Sequence, residues 1–138
     1  MLGRGFVFSK AERDYLNSQK LARIATVSKN GQPDVVPVAL EYDGKYFWVG
    51  SHDDKARKFR NVVSGNKRVA ITVDDVESFS PWKSRMLRVY GTADIEEHKG
   101  ALGLGKYLRI TPKLSWSFGI DPIQSHGHAW NVTRTVHG

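Results

Sequence analysis

Two dipeptides, Asn30-Gly31 and Asp43-Gly44, limit the folds open to this chain more than any other feature. Each is a pairing that tight hairpins favour, because a type I′ turn needs φ > 0 at both central positions. Around them run β-branched, apolar stretches at residues 21–28 (LARIATVS), 34–42 and 45–50, which read as strands. Three antiparallel strands joined by two tight turns are therefore expected. The preceding segment carries a helix signal. Ser9-Lys10-Ala11-Glu12 fits the capping box, a hydroxyl residue followed by Glu at the third helical position. That helix should run to about Ser18 and bury Ala11, Tyr15 and Leu16.

After the third strand comes the most basic stretch, SHDDKARKFRNVVSGNKRVAI, residues 51–71. Ala56, Phe59, Val62 and Val63 recur at helical spacing, which predicts a helix with Asp53 or Asp54 as N-cap and Gly65 as a left-handed C-terminal cap. On that pattern Lys55, Arg57, Lys58 and Arg60 fall outside the core-facing stripe. A helix N-terminus presents unpaired N–H groups and partial positive charge, which suits phosphate. Ser51 adds a hydroxyl from the strand end, and Lys55 and Lys58 share a side of the helix. Arg57 lies about 100° from Lys58 around the axis, so one of them must reach around to meet the same anion. A solvated basic helix face is the competing explanation, and residue types alone leave both open.

Further on, residues 68–73 predict a fourth strand, 76–83 a loop around Pro81, and 86–95 a fifth strand with a bulge or bend at Gly91. HKGALGLG, residues 98–105, reads as a mobile connection. Residues 107–110 and 114–118 predict a sixth strand interrupted by Pro112, and 129–136 a seventh. The expected fold is mainly β: a six- to seven-stranded antiparallel barrel in one domain, with a short N-terminal helix and a helix after strand three. Closure would remove the exposed edges of such a sheet. A chain of 138 residues can bury a core without cross-links, and the absence of cysteine removes disulfides, thiolate metal sites and cysteine nucleophiles together. No apolar run reaches membrane-spanning length, and MLGRGFVFSKAERDY lacks the apolar core of a signal peptide, so a cytoplasmic protein is expected.

The net charge of +7 fits a soluble basic surface, nucleic acid or an anionic ligand. Nucleic acid is disfavoured, because Phe59 falls on the apolar stripe and no recognition-helix, zinc-finger or RNA-binding-sheet pattern is present. No serine lies in a nucleophile-elbow pattern, and there is neither a P-loop nor a GxGxxG. His126-Gly127-His128 has no third ligand nearby and reads as a loop, so no metal site is expected.

Four blocks in order, LARIATVSKNGQPDVVPV, KARKFRNVVSGNKRVAITVDD, PWKSRMLRVYGTADI and YLRITPKLSW, resemble the flavin/deazaflavin oxidoreductases of the pyridoxamine 5'-phosphate oxidase-like split-barrel superfamily. The resemblance covers residues 9–118. PWKSR and LRITPKLSW look most like the branch that uses coenzyme F-420. The sequence departs from the pattern at Lys67, where the family often has proline, and in SHDD before the helix. The tail from Asp121 to Gly138 lies outside it.

The resemblance implies a homodimer with a cofactor groove at the interface, lined by both chains. It implies that Arg57 and Lys58 bind the cofactor phosphate, with Ser51 as the strand-end hydroxyl and His52 and Lys55 as further candidates. Backbone at Val36, Pro37 and Val38 would lie along the tricyclic ring, and the partner chain would contribute Trp82 and Lys83. The implied cofactor is F-420, with FMN as the alternative, and the implied reaction is hydride transfer to a small organic substrate. Because the ring carries such chemistry, no side-chain catalytic set is required. A non-catalytic module that binds or senses flavin or haem is the rival class, since one fold hosts several functions.

Overall fold

The computed structural model describes residues 8–53, 55–120 and 132–137, so Asp54, His126 and His128 lie outside the described residues. In chain order the elements are α1 (Lys10–Ser18), β1 (Leu21–Val27), β2 (Pro33–Ala39), β3 (Phe47–Val49), α2 (Arg57–Ser64), β4 (Arg68–Phe79), β5 (Trp82–Gly100), β6 (Gly103–Phe118) and β7 (Val132–Val136). The capping box forms as expected: Ser9 Oγ accepts the Glu12 N–H, and the Glu12 carboxylate accepts the Ser9 N–H. Tyr15 and Leu16 are buried, whereas Ala11 is only half-buried and Glu12 takes its place inward. Tyr15 donates from its hydroxyl to Asp75 Oδ1 at 2.8 Å, and Arg85 grips the same carboxylate through two nitrogens. This network holds α1 against β4 and β5.

Both glycines take the positive φ that a tight turn needs, +90° at Gly31 and +100° at Gly44. Neither dipeptide is the centre of a two-residue hairpin: Ser28 and Gln32 close a three-residue loop, and the second turn is closed by Asp43 and Tyr46. β3 pairs with β6 rather than β2. The first links β1 to β2; in the second, Asp43 Oδ1 accepts the N–H groups of Lys45 and Tyr46. All strands belong to one antiparallel sheet in the order β2-β1-β4-β5-β6-β3, with β7 also on β6. Its inner face encloses one core that includes Ile24, Phe47, Ile71, Val89, Leu108 and Ile110.

Three expectations change. The ladder does not close as a continuous barrel: chain beyond β2 meets β3 through the Tyr42–Phe47 bridge and the Trp48 N–H donated to the Glu41 carbonyl. Residues 76–83 are no loop but the tip of the long β4–β5 hairpin, which turns at the cis Ser80-Pro81 bond. Nor is 98–105 a free connection, because β5 and β6 pair through to Gly100 and Gly103. His98 anchors that hairpin. Its Nε2 lies 2.7 Å from the Glu41 carboxylate, and its ring stacks on Trp48 at 3.8 Å. Among the described residues no helix is long and apolar enough to cross a membrane.

Candidate functional site

The helix after strand three forms, but it starts two or three residues later than expected and is turned relative to the expected stripe. Its N-cap is Ala56, with no side-chain cap bond. Asp53 instead closes a turn before it, accepting the Lys55 N–H on Oδ1 (2.9 Å) and the Ala56 N–H on its carbonyl (3.0 Å). Lys58, Phe59, Asn61 and Val62 form the buried quadrant, whereas Val63 is 71% exposed. The reason is docking. Asn61 Nδ2 donates to Thr26 Oγ1 on β1 at 2.9 Å, both side chains being buried. This bond fixes the rotation of α2 and carries Lys58, one turn earlier, inward with it. Gly65 is not a left-handed cap, since its φ is −116°. It permits close approach instead: a Cβ there would lie 2.6 Å from the Asn61 carbonyl oxygen and 2.8 Å from the Lys29 nitrogen.

Lys58 is therefore unusual among the basic residues. It is 9% exposed, yet its ammonium has no hydrogen bond or ion pair among the described residues, only the Phe59 ring 5.8 Å away. Burial pulls its pKa below the ordinary lysine value, and the nearby Asp34 carboxylate opposes that shift. Asp34 belongs to β2, so Lys58 faces that strand. Of the β2 residues, Val38 is buried and Val36 half-buried on the inner face with Asp34, while Pro37 points outward. β2 ends the sheet path, so one backbone edge of this strand has no partner strand among the described residues. Arg57, next to Lys58, is exposed. An unpaired ammonium on a largely buried side chain, beside an unpaired strand edge, fits a ligand with an anionic tail and a polar ring margin.

The other expected residues are spread more widely. Ser51 and His52 line a cavity of about 380 Å³ with Glu97, Lys106 and Tyr107, and neither Arg57 nor Lys58 lines it. Ser51 Oγ accepts the Asp53 N–H at 3.2 Å, and Lys55 is exposed. Trp82 and Lys83 lie at the exposed β4–β5 tip, where Trp82 packs 6.0 Å from Phe79. β4 starts just after α2 and reaches that tip after roughly 36 Å of extended chain. Within one chain, Trp82 and Lys83 are thus not brought to Lys58. Asp34, Asn61 and Thr26 were missed by sequence reasoning. Lys58, Phe59, Asn61 and Val62 at helical spacing held the signal for Asn61; Asp34 had none, because only the sheet brings it to the helix.

Residues 8–111 match the family model described as pyridoxamine 5'-phosphate oxidase. The chain belongs to that family. One relative of this chain is the 5a,11a-dehydrotetracycline/5a,11a-dehydrooxytetracycline reductase of Streptomyces rimosus subsp. rimosus. It is 36% identical over 134 residues, which cover 91% of this chain and 94% of the relative. Two solved structures share the fold. An F420 reductase is 24% identical with a TM-score of 0.55, over 69% of this chain and 87% of its own. HutZ, the heme storage protein of Vibrio cholerae, is 18% identical with a TM-score of 0.58, over 74% and 87% respectively.

Proposed function

We propose that this chain is an oxidoreductase that binds a tricyclic flavin-type cofactor, coenzyme F-420 in the first instance, and reduces a small conjugated organic substrate. The observation that carries the reading is Lys58, whose side chain is largely buried while its ammonium has no partner among the described residues, beside the edge of β2. Lys58 and Arg57 hold the cofactor phosphate at the first turn of α2, where the helix dipole also favours negative charge. Backbone of Val36, Pro37 and Val38 lies along the ring and orients it, and Ser51 extends the polar rim. When bound, the deazaflavin supplies two-electron hydride chemistry, and the protein supplies position, electrostatics and exclusion of water.

The related reductase of Streptomyces rimosus supports a reducing role and a conjugated substrate. FMN is the rival cofactor within the same site, since it too joins a tricyclic ring to an anionic tail. The reading includes a homodimer, in which the partner subunit supplies the exposed β4–β5 tip with Trp82 and Lys83 to the groove. Such pairing would account for an aromatic residue left 64% exposed at the tip of a hairpin.

The double variant Arg57→Ala, Lys58→Ala tests the site. Charge-assisted phosphate contacts are among the strong hydrogen bonds, so their joint loss should weaken F-420 affinity by about a hundredfold, some 2.7 kcal/mol. Cofactor affinity equal to that of the parent protein would sink the phosphate assignment. Protein that binds cofactor tightly but reduces no acceptor would make it a binding module instead.

A further inference from the structure

We infer that Asp34 is a specificity-determining residue of the phosphate seat: its carboxylate disfavours a doubly charged phosphate monoester and leans the seat towards a cofactor whose phosphate is a singly charged diester. This rests on the oxidoreductase reading above. The sheet register and one buried hydrogen bond place the residue. Thr26 on β1 and Asp34 on β2 are directly opposed partners, which puts their Cβ atoms about 5 Å apart on one face of the sheet. Thr26 Oγ1 accepts from Asn61 Nδ2 at 2.9 Å. Lys58 lies three residues before Asn61, on the same buried side of α2. Asp34, Thr26, Asn61 and Lys58 are thus successive neighbours across β2, β1 and the helix.

The inner two of these satisfy each other, and both are buried. The outer two do not. Asp34 is half-buried, and its carboxylate makes neither a hydrogen bond nor an ion pair among the described residues. The Lys58 ammonium makes none either, although the Asp34 charge acts on it. A pair whose role was mutual neutralisation would close to ion-pair distance, as Arg23 and Asp74 do at 2.7 Å. Here the two opposite charges face one region and leave it open.

Charge then sorts the ligands. Lys58 and Arg57 bring positive charge to the first turn of α2, and Asp34 offsets part of it. FMN ends in a phosphate monoester, which carries about −1.5 to −2 near pH 7. The phosphate of F-420 is a diester with a single charge. Coulomb energy is proportional to the charge of the ligand, so repulsion from Asp34 bears on the monoester nearly twice as heavily as on the diester. Discrimination of this kind comes from an element that opposes the wrong ligand, not from a new contact to the right one.

The test titrates the full-length protein, by flavin fluorescence, with three ligands that share one ring. These are neutral riboflavin, the singly charged methyl phosphodiester of FMN, and FMN itself. Asp34→Asn, of the same size without the charge, should tighten FMN about tenfold and the methyl diester about threefold, and leave riboflavin unchanged. In the same variant the preference for F-420 over FMN should shrink about threefold. Asp34→Glu, which keeps the charge, should keep the parent's order of affinities. Unchanged or weaker FMN binding in Asp34→Asn, or an equal change for all three flavins, would overturn the role of Asp34 and leave the cofactor reading standing. Failure of the parent to bind F-420 or any of the flavins would remove both.

Discussion

His137 lies where β7 ends against α1 and β6, and it is 8% exposed. Its Nε2 shares a hydrogen bond with Ser115 Oγ at 2.8 Å, Nδ1 has no partner among the described residues, and the Phe8 ring sits 4.9 Å away. Burial pushes its pKa below the ordinary 6.5, with the nearby Glu12 opposing. The unfolded chain therefore binds more protons than the folded one, and the stability that the neutral ring provides is complete above pH 6.5 and lost as pH falls through the lower folded-state value. Thermal melts should show Tm falling between pH 7.5 and pH 5.5, and His137→Gln should flatten that slope. An unchanged slope in the variant would remove His137 as its source. The depressed carboxyl groups of Asp43, Asp75 and Asp94 act elsewhere, because their stabilising contributions are lost only below the ordinary 3.8.

At the scale of the element, the position of α2 depends on its close approach to the β1 end. Gly65→Ala puts a Cβ against three backbone atoms, the nearest 2.6 Å away, none of which can swing aside. Overpacking of this kind costs about 2 kcal/mol, so the variant should denature at lower urea concentration. Because the strain falls on the last turn of α2, it should also weaken cofactor binding by moving Lys58. Full stability and full affinity in Gly65→Ala would contradict this view of the helix. The elements that sequence shows best are those set locally: the capping box of α1 and the Gly31 and Gly44 turns depend only on neighbours in the chain. The long hairpins are set by distant partners and escaped notice. Pro112 illustrates the difference. On the edge of β6 away from β5, β3 pairs residues 108–110 and β7 pairs 114–118, so the proline falls where that edge has no partner, and Lys113 bulges between Pro112 and Leu114. The strand continues where the sequence alone predicts a break. At the site, charge pattern and resemblance picked Lys58 out; its burial and its partner strand belong to tertiary packing.

For the whole molecule, the split of the expected site into two regions is the main consequence of the fold. Lys58 and β2 lie together, whereas Trp82 and Lys83 project from the far end of the β4–β5 hairpin. The proposed homodimer would reconcile them, and sedimentation should then give twice the chain mass. In that assembly Trp82→Ala should weaken cofactor binding although Trp82 is remote from Lys58 in its own chain. A monomer of full cofactor affinity would contradict the shared groove. In the proposed function, the basic start of α2 and the edge of β2 form the seat of a deazaflavin. It is tested most directly by titrating the purified protein with F-420 and with FMN side by side, following the fluorescence of each. Both should bind saturably, with F-420 the tighter; tighter FMN binding would overturn the choice of cofactor, and failure of both to bind would rule out the seat itself.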